Sequence, residues 1–183
     1  MKIKYIILLV IIILIGFISF RTITFFTEGR SHYFKHMDST DLSTESFGKV
    51  RLHDNIHSPS FMEQYGVPLN RDDNNLYDYY HWEGGLETAS IISGKEKGKI
   101  VRLIIGEVEE GMKKNRLTTA KGIMIGNTKH DVIVLYGSSY YKRMEQGANI
   151  IGYVDQKLRV TLEFWLDENG KVAEIRLDDA NIE

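Results

Sequence analysis

The chain has no cysteine among its 183 residues. That absence excludes a disulfide framework, a thiolate nucleophile, a cysteine-based zinc or iron–sulfur centre, and the lipidated cysteine of a bacterial lipoprotein. An excess of basic charge is missing too. The formal net charge is -2, and residues 31–183 hold 19 basic against 24 acidic residues, or about -5. Phosphate backbones demand clustered Lys and Arg, so nucleic acid drops out as a partner. No G-x-S-x-G elbow occurs, and Ser138 and Ser139 lie in GSSYY. The 6 histidines include the i, i+4 pairs His32/His36 and His53/His57. Ser58-Pro59 starts a helix after His57, however, so the second pair shares no helical face; no metal and no other cofactor is expected. With 43% hydrophobic and 26% charged residues the chain reads as globular, and its core must rest on packing alone.

Charge is also absent from Tyr5 to Phe20, behind Lys2 and Lys4. As a helix that run spans about 24 Å, and Thr22 to Phe26 extend it toward the ~30 Å hydrocarbon core of a bilayer. No A-x-A-like cleavage site follows, since Gly16 to Thr22 reads GFISFRT. Residues 1–30 are therefore expected to form an uncleaved signal anchor. The expected localisation is the cell membrane, single-pass, with the C-terminal part extracytoplasmic. Residues 31–47, dense in Ser, Thr and Asp, read as a polar linker.

Beyond the linker, two short helices punctuate the chain. Thr128 and Asp131 form a capping-box pair, Gly137 ends the helix, and Val132, Leu135 and Tyr136 give it an apolar side. Ser58-Pro59 and Gly66 bracket an earlier helix whose apolar side is Phe61, Met62 and Tyr65. Three strand-like runs follow each: 76–82, 86–93 and 99–105 after the first, then 149–154, 158–166 and 171–177 after the second. The turns Glu96-Lys97-Gly98-Lys99 and Glu168-Asn169-Gly170-Lys171 are separated by a 72-residue offset, which aligns Val101, Leu103 and Ile105 with Ala173, Ile175 and Leu177. That uniformly apolar set is expected to face the helix, with Ile100, Arg102 and Ile104 turned away. In the longest strand Leu158, Val160, Leu162, Phe164 and Leu166 should point inward, leaving Arg159, Thr161, Glu163 and Trp165 outward.

The expected fold is α+β: two repeated units, each a short helix packed on a three-stranded antiparallel meander, after one N-terminal transmembrane helix. The first unit covers 48–106, a connector 107–121, and the second unit 122–183. Gly122 to Gly126, a helix ending in Leu135-Tyr136-Gly137, and a meander with a D-x-x-G-K turn together resemble one unit of the β-lactamase-inhibitor-protein-like domains, to which the SmpA/OmlA-type assembly lipoproteins are similar. The resemblance spans 48–178 as a tandem pair. It implies a helical layer on a sheet with one open face, and a role in binding proteins.

Aromatic residues point the same way. An outward Trp165 among Arg159, Thr161 and Glu163 fits an interface, where Trp, Tyr and Arg are favoured anchors. The expected binding residues are Trp165, Tyr80, Trp82, Arg159, Glu163, Tyr140 and Tyr141, with no catalytic residue assigned. The expected function is a membrane-anchored, non-catalytic module of the cell envelope that binds a protein or envelope component. A cell-wall hydrolase using a carboxylate pair, or a spacer with no ligand, are the alternatives.

Overall fold

The structure, a computed structural model, describes residues 30–106 and 117–181. The chain divides into two units, Met1–His36 and Met37–Glu183. The described part of the first unit is helix α1 (Arg30–His36). Its last turn is basic, and the His36 ring bonds the His32 carbonyl at 2.8 Å while stacking on the His32 ring at 4.3 Å.

Almost all of the signal anchor expected over 1–30 lies outside the described residues. Among the described residues no helix is long and apolar enough to cross a membrane. Helix α1, with 7 residues, is far too short for a ~30 Å core and carries Arg30 and Lys35. The single-pass membrane placement, and the extracytoplasmic localisation that depended on it, are corrected accordingly.

The second unit is built on two capped helices. In α2 (Pro59–Tyr65) the Ser58 side chain accepts from the Phe61 amide, and Pro59 occupies the first turn, where its missing N–H costs nothing. In α3 (Lys129–Tyr136) Thr128 and Asp131 cap each other's backbone reciprocally. Val132 and Tyr136, one turn apart, are the buried residues of α3, whereas Leu135 is 43% exposed.

Four strands follow each helix: β1 (Asn70–Asp73), β2 (Tyr77–Trp82), β3 (Leu86–Ile91) and β4 (Ile100–Ile105), then β5 (Tyr141–Glu145), β6 (Ala148–Asp155), β7 (Val160–Leu166) and β8 (Val172–Asp179). They form one 8-stranded sheet in the order β1-β2-β3-β4-β8-β7-β6-β5, antiparallel throughout. The expectation of two separate three-stranded units is thereby overturned. Two strands escaped the sequence reading, and β4 pairs with β8, joining Leu103 to Leu177 and Ile105 to Ile175. A core residue of this kind contributes about 1.5–3 kcal/mol through burial, and the seam holds several.

Both helices cover the same face, called here the front. Phe61 of α2 packs edge-on against Trp82 at 5.0 Å, and Tyr136 of α3 lies 5.3 Å from Phe164. Two bulges alter the expected facing. Ala89 pairs with Arg102 but Ser90 with Ile100, so Val101 is the extra residue; Trp165 pairs with Glu174 but Leu166 with Val172, so Ala173 is extra. Past each bulge the alternation inverts, and Ile100 and Val172 enter the front core in place of Val101 and Ala173.

Residues 37–47 belong to this unit. Ser39 bridges Val154 in parallel, the Leu42 amide donates to Asp155 at 3.0 Å, and Phe47 is fully buried. Glu45 accepts from the Tyr136 hydroxyl at 2.7 Å and the Ala120 amide at 2.6 Å, tying this stretch to α3. Burial, and then the charge of Glu45, hold the Tyr136 phenol well above its usual range.

Candidate functional site

Strand register builds three rows of side chains across the back of the sheet. Arg143, Ile150, Trp165 and Glu174 form one row; Tyr141, Gly152, Glu163, Arg176 and Ile104 the next; Val154, Thr161, Asp178, Arg102 and Ala89 the third. Because β7 lies inside the sheet, all of its residues are buried, the polar set included. Thr161 and Glu163 are fully shielded and Trp165 is 6% exposed.

What shields Trp165 is arginine. The Arg176 guanidinium sits 3.9 Å from the centre of its ring and that of Arg143 5.5 Å away. A guanidinium this close to an indole face is held by the ring quadrupole, an attraction of about 0.5–2 kcal/mol. Arg143 is fixed by Glu163 through two hydrogen bonds of 2.8 and 2.7 Å, and it also pairs with Glu145. Burial works to lower the Arg143 pKa, but the bonds and charge of Glu163, with those of Glu145, outweigh it and the net shift is upward. The Tyr141 hydroxyl donates to Glu163 at 2.6 Å. It reaches across Gly152, where a Cβ would run into the Tyr141 ring. In the third row Arg102 holds Asp178 at 2.6 and 3.3 Å, and again the carboxylate raises a pKa that burial alone would lower.

Among the described residues, two polar atoms on this face are unmatched. Trp165 Nε1 and Thr161 Oγ1 are buried with no hydrogen-bond partner. Each such donor carries an uncompensated desolvation cost of about 1–3 kcal/mol. Among the described residues, Arg176 bonds Glu174 through Nε and makes no hydrogen bond through its terminal nitrogens. The side chain is 21% exposed.

Of the residues expected to bind, Trp165, Glu163 and Tyr141 converge on this face. Tyr80 and Trp82 lie on the front, where Trp82 donates to Thr88 at 3.1 Å and both rings belong to the core. Tyr140 is on the helix side against Tyr153, flanked by Lys129 and Lys142. Arg159 precedes β7 in a left-handed conformation, φ 59°, and is exposed. Arg143 and Arg176 were not foreseen. The one available signal was Arg176 alternating with apolar Ile175 and Leu177; Arg143 sits in a strand the sequence did not reveal.

For a metal, no group of three His, Asp or Glu is assembled among the described residues. His53 instead pairs with Asp179 at 2.9 Å, and His81 lies between Asp72 and Glu87 at 3.6 and 3.4 Å.

No protein family and no curated protein matches the chain. Solved structures offer two partial likenesses. One is a DUF4309 family protein, YjgB, from Bacillus subtilis, at 17% identity and TM-score 0.39, covering 65% of this chain and 75% of that one. The other is an extracellular protein containing a SCP domain from Bacillus anthracis, at 9% identity and TM-score 0.42, covering 70% of this chain and 44% of that one. Neither is described as a β-lactamase-inhibitor-protein-like domain. At these TM-scores the likenesses carry no functional argument.

Proposed function

We propose that the chain is a non-catalytic protein-binding module that meets its partner through the back of the sheet around Trp165. The supporting observation is the Arg176–Trp165 stack at 3.9 Å, in which the guanidinium keeps its terminal nitrogens for an acceptor from outside. Trp, Tyr and Arg are the residue types that concentrate binding energy at interfaces, and here they are held rigid by Glu163 and Glu174 before any partner arrives. Tyr80 and Trp82 take no part in this reading, since they face the helices.

Affinity capture with the tagged full chain, run beside Arg176→Glu, tests the proposal. The expected result is a partner recovered by the native chain and lost on charge reversal, with circular dichroism unchanged. Equal recovery by both chains would remove the back face from the function.

A further inference from the structure

The sheet ends in β1 on one side and β5 on the other, and the two edges differ in sign. Strand β1, Asn-Arg-Asp-Asp, carries one basic and two acidic residues, all exposed. Its arginine is already tied to Asp78 at 2.7 Å, so the charges left over are those of Asp72 and Asp73. Strand β5, Tyr-Lys-Arg-Met-Glu, carries two basic residues and one acidic, with Lys142 exposed and Met144 70% exposed. Charge on an edge ordinarily keeps other strands away. Here it sets β1 against another β1, but it does not set β1 against β5.

Backbone geometry agrees with the charges. Each edge strand belongs to a hairpin with a two-residue turn, Asn75-Leu76 or Gln146-Gly147, and the residue pair flanking such a turn exchanges hydrogen bonds, as does every second pair beyond it. The amides and carbonyls that point away from the sheet are therefore those of Arg71 and Asp73 on β1 and of Lys142 and Met144 on β5. The Asn70 side chain caps the Arg71 amide at 2.8 Å. Because eight antiparallel strands run β1 and β5 in opposite directions, a second copy in the same orientation brings its β5 antiparallel to β1, front beside front. Setting Asp73 opposite Lys142 matches the outward groups, with Arg71 opposite Met144. The same register sets Asp72 opposite Arg143 on the back, so both acids meet a base. Slipping by two residues either way sets Asp72 against Glu145 or Arg71 against Lys142.

We infer that the chain associates with further copies of itself head to tail, β1 of one copy pairing with β5 of the next so that the sheet continues across the junction. Main-chain hydrogen bonds join the strands, and the cross-strand charge pairs fix the register. The contact is heterologous: each added copy leaves one edge of either sign free, so growth is open-ended. Pairing of β5 with another β5 would instead close a dimer and leave β1 unused.

Sedimentation velocity of the full chain at concentrations up to about 1 mM tests the inference, with average mass expected to rise past that of a dimer. Asp73→Lys and Lys142→Asp, each checked for fold by circular dichroism, give two edges of one sign and should each weaken self-association at least ~10-fold. Mixed in equal amounts, the two variants should associate again, because each then carries the edge that the other lacks. A native chain still monomeric at about 1 mM overturns the inference, as does assembly that stops at the dimer. Association that survives either charge reversal, or that mixing fails to restore, overturns it as well. Neither variant alters Trp165 or Arg176, so the protein-binding reading stands or falls separately.

Discussion

Replacing Glu163 by Ala should be among the most damaging single changes in the chain. The carboxylate is fully buried, and it receives two bonds from Arg143 and one from Tyr141. Its removal leaves the Arg143 guanidinium, 18% exposed, with Glu145 as its remaining carboxylate partner among the described residues, and takes away the Glu163 oxygen to which the Tyr141 hydroxyl donates. Breaking one side of a buried pair costs about 3–5 kcal/mol. At about 2–4 °C per kcal/mol for a chain of this size, the melting temperature should fall by ~6–20 °C. Glu163→Gln keeps the shape and one acceptor and should lose less, about 1.5–3 kcal/mol. The diagnostic comparison is the double change Glu163→Leu with Arg143→Met. Exchanging both charges for apolar groups of similar volume removes the desolvation cost together with the attraction, so most of the lost stability should return. Urea denaturation of the four chains, followed by circular dichroism, supplies the free energies. A Glu163→Ala cost below about 1 kcal/mol, or a double variant no better than the single one, would refute this account of the back face.

Three further outcomes follow from local geometry. Thr128→Ala removes the α3 cap and should cost about 0.5–2 kcal/mol in the same assay. Asp131, the other half of that box, has its pKa lowered by hydrogen bonds from the Thr128 side chain and backbone. Its contribution is therefore present above the unfolded value near 3.8 and lost as pH falls through the folded one; an acid titration should be shallower for Asp131→Ala than for the native chain. Gly152→Ala must push the Tyr141 ring off β6 and away from Glu163, an overpacking cost of about 1–3 kcal/mol that Tyr141→Phe alone should not reproduce in full; equal losses would place the strain elsewhere.

Legibility tracked the range of the forces involved. Helix α3 was readable because Thr128, Asp131 and Gly137 satisfy one another within a few residues. Strand β1, Asn-Arg-Asp-Asp, has no apolar residue and is fully exposed; its pairing with β2 and the Arg71–Asp78 bond hold it, and neither is visible locally. The bulges at Val101 and Ala173 exist only in relation to the opposite strand, so alternation counted along one strand misassigned Ile100 and Val172. For the site, outward alternation correctly set Glu163 and Trp165 on one face. It could not tell that the face is closed over by Arg143 and Arg176, because that depends on β5 and β8 lying on either side of the pair β6–β7. Tyr80 and Trp82 have the composition of an interface, but α2 supplies Phe61 as their neighbour, and they become core.

The β4–β8 seam also bears on synthesis. Its ion pair joins residues 76 positions apart, and β8 leaves the ribosome after every other described strand. Strands β1 to β4 can pair as hairpins as they emerge, but until β8 arrives the outer edge of Ile100–Ile105, Ile-Val-Arg-Leu-Ile-Ile, has nothing to pair with. Such an edge recruits any extended chain, including another copy of itself. Arg102, the single charge in that strand, is thus a gatekeeper during translation before it becomes half of a buried pair, and chains truncated ahead of Val172 should accumulate as aggregates.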